Sequence, residues 1–134
     1  MTPVRKTLDN NKKHYFVDLF AGCGGLLLGF EKAGFTPLLF SELNDSASKT
    51  YKANREDEFN VRSVDDFLAK NQQGKDDGKA QLLEAGDIVS SLSDEKFNTL
   101  LDHYNKTIPS FGVDLVCGGP PCQGFSMINH MGRR

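Results

Sequence analysis

Short apolar runs alternate with amphipathic stretches along the chain, and the period of each run sets the element it predicts. Tyr15–Phe20 (YFVDLF) crowds aromatic and β-branched residues together and predicts a buried strand that ends in a glycine turn. Gly25–Ala33 predicts a helix, with Leu26, Phe30 and Ala33 on one face and Gly34 at its C-terminal end. Thr36–Ser41 is a second strand, and Asp45 is the expected cap of a helix that runs to about Asn54, with Ala47 and Tyr51 along it. The stretch 55–82 mixes patterns: Val64–Lys70 predicts a helix, Asn71–Lys79 (NQQGKDDGK) a polar loop, and the whole reads as an insertion or mobile loop. Ala85–Val89 is a weak third strand. Ser93 is the expected cap of a helix through about Tyr104, with Phe97, Leu100 and Leu101 facing inward, and Val113–Cys117 is a fourth strand. Strands separated by helices imply a parallel sheet with right-handed crossovers. The expected fold is therefore α/β, the N-terminal half of a doubly wound Rossmann-like domain. Its fourth strand is expected at an edge.

Composition narrows this little. A length of 134 residues allows one domain, and the 38% hydrophobic content is that of a globular chain. The runs Leu26–Leu28 and Pro37–Phe40 fall far short of the ~20 apolar residues of a membrane span. The start is polar and unlike a secretory leader, and three cysteines make no disulfide framework, so a reducing cytoplasm is expected. Charge changes the picture more. Residues 1–14 carry Arg5, Lys6, Lys12 and Lys13 against Asp9 and read as a basic polar tail, whereas residues 41–103 hold 14 acids and 8 bases. That is not the footprint of a stand-alone nucleic-acid binder. Any grip on phosphate would have to come from elsewhere.

Two loops carry candidate chemistry. DLFAGCGGL (residues 18–26) places Gly22, Gly24 and Gly25 where the first strand turns into a helix, a place that needs positive φ or close ligand approach. Glu42 follows 20 residues after Gly22, at the end of the second strand, where a carboxylate accepts the hydroxyls of a nucleoside ribose. Leu27 occupies the last position of G-x-G-x-x-G, which disfavours a dinucleotide. A turn that only packs helix on strand is the alternative. In GDI (Gly86–Ile88), Asp87 could accept an adenine amine while Ile88 packs on the ring, or could simply be a turn residue. GGPPCQGFS (residues 118–126) mounts Cys122 between two prolines and three glycines at the carboxyl end of a strand. An ordinary thiol is only about 3% thiolate at pH 7. Nucleophilic use of Cys122 therefore needs help from a neighbour or the substrate. The Gly-Gly-Pro-Pro spacing between Cys117 and Cys122 argues against a metal pair, and no metal site is expected.

DLFAGCGGLLLGF, SELN, GDI and GGPPCQGFS, in that order, closely resemble the cytosine-5 DNA methyltransferases across residues 15–134. The resemblance implies methyl transfer from S-adenosylmethionine to C5 of cytosine in DNA. It implies that Phe20, Ala21, Gly22, Cys23 and Gly25 line the cofactor site. Glu42 would hold the ribose, Leu43 would pack on adenine, and Asp87 with Ile88 would select its edge. Gly119 and Pro121 would contact cofactor or base, Cys122 would be the nucleophile, and Gln123 and Ser126 would meet DNA. The family's Glu-Asn-Val motif, target-recognition region and final cofactor motif are not found in this sequence. The chain is therefore expected to be a portion of a catalytic domain, inactive alone, that associates with a complementing C-terminal chain or with itself. Two other readings stay open: a non-catalytic cofactor-binding or assembly module, and an RNA cytosine-5 methyltransferase.

Overall fold

The computed structural model describes residues 12–69 and 79–119. Within them the chain runs β1 (His14–Leu19), α1 (Gly25–Lys32), β2 (Phe35–Ser41), α2 (Asp45–Ala53), β3 (Phe59–Ser63), α3 (Val64–Ala69), β4 (Ala80–Ala85), α4 (Ile88–Ser91), α5 (Asp94–Thr107) and β5 (Val113–Gly118). The strands form one sheet in the order β3-β4-β2-β1-β5, and every pairing is parallel. This is the expected α/β class. The strand sequence steps one way from β1 to β2, β4 and β3, and the other way to β5. The switch of direction thus falls between β1 and β5, where open α/β sheets bind ligands at the carboxyl ends of their strands.

Each face of the sheet buries its own apolar layer. On one, Tyr15, Val17, Leu39 and Leu83 pack with Val64 and Phe67 of α3 and with Leu100 and Tyr104 of α5. On the other, Phe16, Phe40 and Leu82 pack with Leu27 of α1 and Tyr51 of α2. The inner residue of α1 is therefore Leu27; Leu26 stands 48% exposed. On α5 the inner pair is Leu100 and Tyr104, four residues apart and so on one face, while Phe97 is exposed.

Other boundaries differ from the sequence expectation for local reasons. Asn44, not Asp45, caps α2: its side chain accepts the Ala47 amide at 2.9 Å. The third predicted strand moves upstream, from Ala85–Val89 to Ala80–Ala85, because Asp87 turns the chain by capping α4. The stretch AQLLEA is built from strong helix formers, and its central place between β2 and β3 overrides that propensity. Residues 59–63 of the stretch read as an insertion or mobile loop instead form edge strand β3. Part of that stretch, 70–78, lies outside the described residues. In β2, Pro37 cannot donate to the ladder. The register with β1 shifts there, from Phe16↔Pro37 to Val17↔Leu39, so Leu38 has no strand partner in β1. No described helix is long and apolar enough to cross a membrane.

Candidate active site

The carboxyl ends of β1, β2 and β4 converge on one concavity. After β1 the backbone turns sharply, with Phe20, Gly22 and Gly24 at φ of 53°, 60° and 96°. Two hydrogen bonds hold this turn to β2. The Ala21 amide donates to the Ser41 carbonyl at 2.9 Å, and the Gly22 amide donates to Glu42 Oε1 at 3.1 Å. The second Glu42 oxygen accepts the Asn44 amide at 3.3 Å. A carboxylate offers about four lone-pair positions. Two are taken by backbone, so Glu42 keeps acceptor capacity for further hydroxyls. The Glu42 amide donates to the Ala85 carbonyl at 3.3 Å, and Ser41 Oγ donates to the Gly86 carbonyl at 3.1 Å, which joins the third strand end to the other two.

A cavity of about 240 Å³ opens here, lined by Phe20, Ser41, Leu43, Gly86, Asp87, Ile88 and Val89. It is smaller than the roughly 300 Å³ at which whole-ligand pockets begin, so it suits one flat ring of a larger ligand. Leu43 and Val89 are 78% and 82% exposed, so apolar side chains face water at the rim. The Asp87 carboxylate caps α4 through the Val89 amide at 3.1 Å and the Ser90 hydroxyl at 3.3 Å, which fixes it at the cavity wall. On the loop after β1, α1 begins at Gly25, and among the described residues no side chain caps its first turn. Its amides remain open to an anion. Cys23 is an exposed free thiol on the same loop.

β5 brings in the second loop. Gly118 pairs with Leu19, so the strand leading to the Pro-Pro-Cys segment ends beside the glycine turn. Gly119 is the last described residue there; Pro121, Cys122, Gln123 and Ser126 lie outside the described residues.

The family model for C-5 cytosine-specific DNA methylase matches residues 14–86, more than half of the chain. The chain belongs to the C-5 cytosine-specific DNA methylases. It is 37% identical to the Type II methyltransferase M1.HphI of Haemophilus parahaemolyticus, over 88% of this chain and 23% of the relative. It is 34% identical to the Type II methyltransferase M.DdeI of Desulfomicrobium norvegicum, over 83% of this chain and 19% of the relative. DNA (cytosine-5)-methyltransferase 3 of Arabidopsis thaliana is 35% identical over 84% of this chain and 9% of its own length. The chain thus spans less than a quarter of each of these three relatives.

In this methylase chain the fold gathers Phe20, Ala21, Gly22, Glu42, Leu43, Asp87 and Ile88 at three adjacent strand ends. Ser41, Gly86 and Val89 complete the cavity and were not legible, because their only signal is adjacency to those residues. Asp18 was also missed, although an acid inside the apolar run YFVDLF is itself a signal. Its side chain is fully buried one residue before Leu19; among the described residues Oδ2 has no hydrogen-bond partner and Oδ1 has the Cys117 thiol at 3.9 Å. Burial pushes the Asp18 carboxyl up to about 6, aided by the charge of Glu42 and opposed by the Cys117 contact. Burial and the Asp18 charge push the Cys117 thiol up in turn.

This shift has a defined sign. A carboxyl raised in the folded state favours folding while protonated, below about pH 4, and that contribution is lost as pH rises through about 6. A displacement of roughly two units corresponds to at most ~3 kcal/mol. Asp18→Asn should therefore gain stability relative to the wild type as pH rises from 4 to 7. Urea unfolding of both proteins at those two pH values measures it, and a difference independent of pH would exclude a raised carboxyl.

Proposed function

We propose that this chain carries the cofactor-binding half of a DNA (cytosine-5-)-methyltransferase catalytic domain, working in the cytoplasm, in which S-adenosylmethionine is the methyl donor and DNA the substrate. Residues 14–134 form that part, since His14 already belongs to β1, and the basic residues before it precede the domain. The observation that carries the reading is the Glu42 carboxylate. It follows β2 between Ser41 and Leu43, two residues that line the apolar cavity, and is held by the Gly22 and Asn44 amides with acceptor capacity to spare. The donor set fits an adenosyl group: a carboxylate for two ribose hydroxyls, an apolar slot the size of one ring, and open helix amides at α1 for an amino-acid carboxylate. The bound cofactor supplies an electrophilic methyl group.

Within this reading, Phe20, Leu43 and Ile88 sandwich the base, and Asp87 accepts its exocyclic amine. Ala21, Gly22, Cys23 and Gly25 give backbone close to the methionine portion, and Gly119 and Pro121 contact cofactor or base. Cys122 adds as thiolate to C6 of a cytosine taken out of the duplex, which leaves C5 as the electron-rich end of an enamine. Gln123 and Ser126 meet the DNA. The parallel β1–β5 register supports this division of labour, because it starts the Cys122 loop beside the cofactor loop and so makes the reaction a matter of proximity. Among the described residues β5 pairs only with β1, and Val116 is 59% exposed on it; this edge is where further sheet from a complementing segment would dock.

Titration calorimetry with S-adenosylmethionine tests the reading. Glu42→Gln removes the charge from two ribose hydrogen bonds, each worth about 1.5–3 kcal/mol when charge-assisted. Affinity should fall by at least about tenfold. Equal affinity of the two proteins would remove Glu42 from the site. An absence of binding by the wild type would favour a purely structural or assembly role.

A further inference from the structure

We infer that Glu84, on β4 and outside the cavity, is a positioning residue that sets the Glu42 carboxylate through helix α2; the inference rests on the cofactor-site reading of Glu42. The path is a continuous set of hydrogen bonds. Ser48 Oγ donates to Glu84 Oε1 at 2.7 Å, and Lys52 Nζ pairs with Glu84 Oε2 at 3.2 Å. Ser48 and Lys52 lie one turn apart on one face of α2, so a single carboxylate grips the helix at two points. The Ser48 amide donates to the Asn44 carbonyl at 2.9 Å, and the Asn44 amide donates to Glu42 Oε2 at 3.3 Å. Glu42 Oε1 then holds the Gly22 amide of the turn after β1. Six residues are thus linked: Glu84 on β4, Ser48 and Lys52 on α2, Asn44 at the cap of α2, and Glu42 and Gly22 in the segments that follow β2 and β1.

The same helix reaches the site a second way. Tyr51 lies between Ser48 and Lys52, stacked on Phe40 at 3.8 Å between ring centroids. Its ring supports the glycine turn so closely that a Cβ at Gly24 would lie 3.0 Å from Tyr51 Cδ2. Any slide or rotation of α2 therefore shifts Asn44 against Glu42 and Tyr51 against Gly24 together.

Ser48 is buried and the Glu84 side chain is only 21% exposed. A half-buried ion pair adds little net stability over an apolar contact of the same volume, and its attested use is to select one register. An apolar contact would let α2 settle at several positions on the sheet. Glu84 accepts from residues 48 and 52 at one position only.

The test uses Glu84→Ala, Glu84→Gln and Ser48→Ala in the 134-residue chain, with two readouts. The first is amide hydrogen exchange at Gly22 and Asn44, compared with Phe40 and Leu83 in the sheet. Glu84→Ala should speed exchange at Gly22 and Asn44 by about tenfold and leave the sheet amides unchanged. Glu84→Gln, which keeps an acceptor for Ser48, should recover most of that protection. The second readout is S-adenosylmethionine affinity, alone and in a Glu42→Gln background. Glu84→Ala should weaken binding about tenfold alone and have little further effect when Glu42 is already altered. Unchanged exchange at Gly22 and Asn44, or an equal loss of affinity in both backgrounds, would overturn the inference. If Glu84→Ala does not fold, Ser48→Ala decides it by the same exchange criterion. If the wild type fails to bind S-adenosylmethionine, the cofactor reading falls, and the exchange readout still decides whether Glu84 holds Glu42.

Discussion

Replacing Cys122 with alanine should abolish methyl transfer, a loss of at least about a thousandfold, while leaving S-adenosylmethionine affinity within about twofold. Cytosine C5 is a poor nucleophile until C6 is occupied, so no side chain that cannot form and release a bond to C6 substitutes for the thiol. Two prolines fix the backbone before Cys122, and the loop starts at Gly118 and Gly119, directly off β5. The measurement is incorporation of labelled methyl groups into DNA, in a catalytically complete protein that joins this chain to the rest of a methylase catalytic domain. Turnover equal to the wild type would remove the nucleophile assignment. The 134-residue chain alone should incorporate nothing measurable, because no acid for cytosine N3 is recognised in its sequence. Cys122-dependent incorporation by the isolated chain would overturn that expectation.

Gly118→Ala should be the most destabilising single methyl in the described chain, at about 3 kcal/mol or more. Gly118 pairs with Leu19 in the parallel β1–β5 ladder, and a Cβ placed on it would overlap the Leu19 carbonyl. The neighbour is backbone, not the flexible tip of a side chain, so the two strands must part to make room. Parting them would also separate the cofactor turn from the start of the Cys122 loop. Urea unfolding of the isolated chain gives the stability change. Gly119→Ala serves as the control, because among the described residues a Cβ there meets nothing within 4 Å. Equal midpoints for the two variants would show that the strands do not approach as closely as the register requires.

Legibility in the sequence followed the physical range of each signal. The strand-turn-helix at Tyr15–Lys32 was readable because strand burial and glycine turns are local. Glu42 was readable because its distance from the glycine turn is one strand-helix-strand unit. β3 was not readable. FNVRS is short, half polar and at the sheet edge, where neither face demands a continuous apolar run. β4 was misplaced because AQLLEA carries helix propensity, and only its neighbours on both sides make it a strand. Asp18 and the Glu84–Ser48–Lys52 grip escaped for a related reason. Their meaning depends on what a distant element places beside them.

The sequence by itself determined the α/β class, the family, and Phe20, Ala21, Gly22, Glu42, Leu43, Asp87 and Ile88 among the residues that meet at the carboxyl ends of β1, β2 and β4. Those depend on local pattern and on motif spacing, which are properties of the chain in one dimension. The tertiary structure decided which acids hold helices and which keep free acceptor positions. It also decided that Asp18 is buried without a counter-charge among the described residues and that α2 is registered on the sheet by Glu84. Those facts are set by distances between elements far apart in the chain. A carboxylate's role depends on which groups reach its oxygens, and only the folded chain brings them within 3 Å or so of one another.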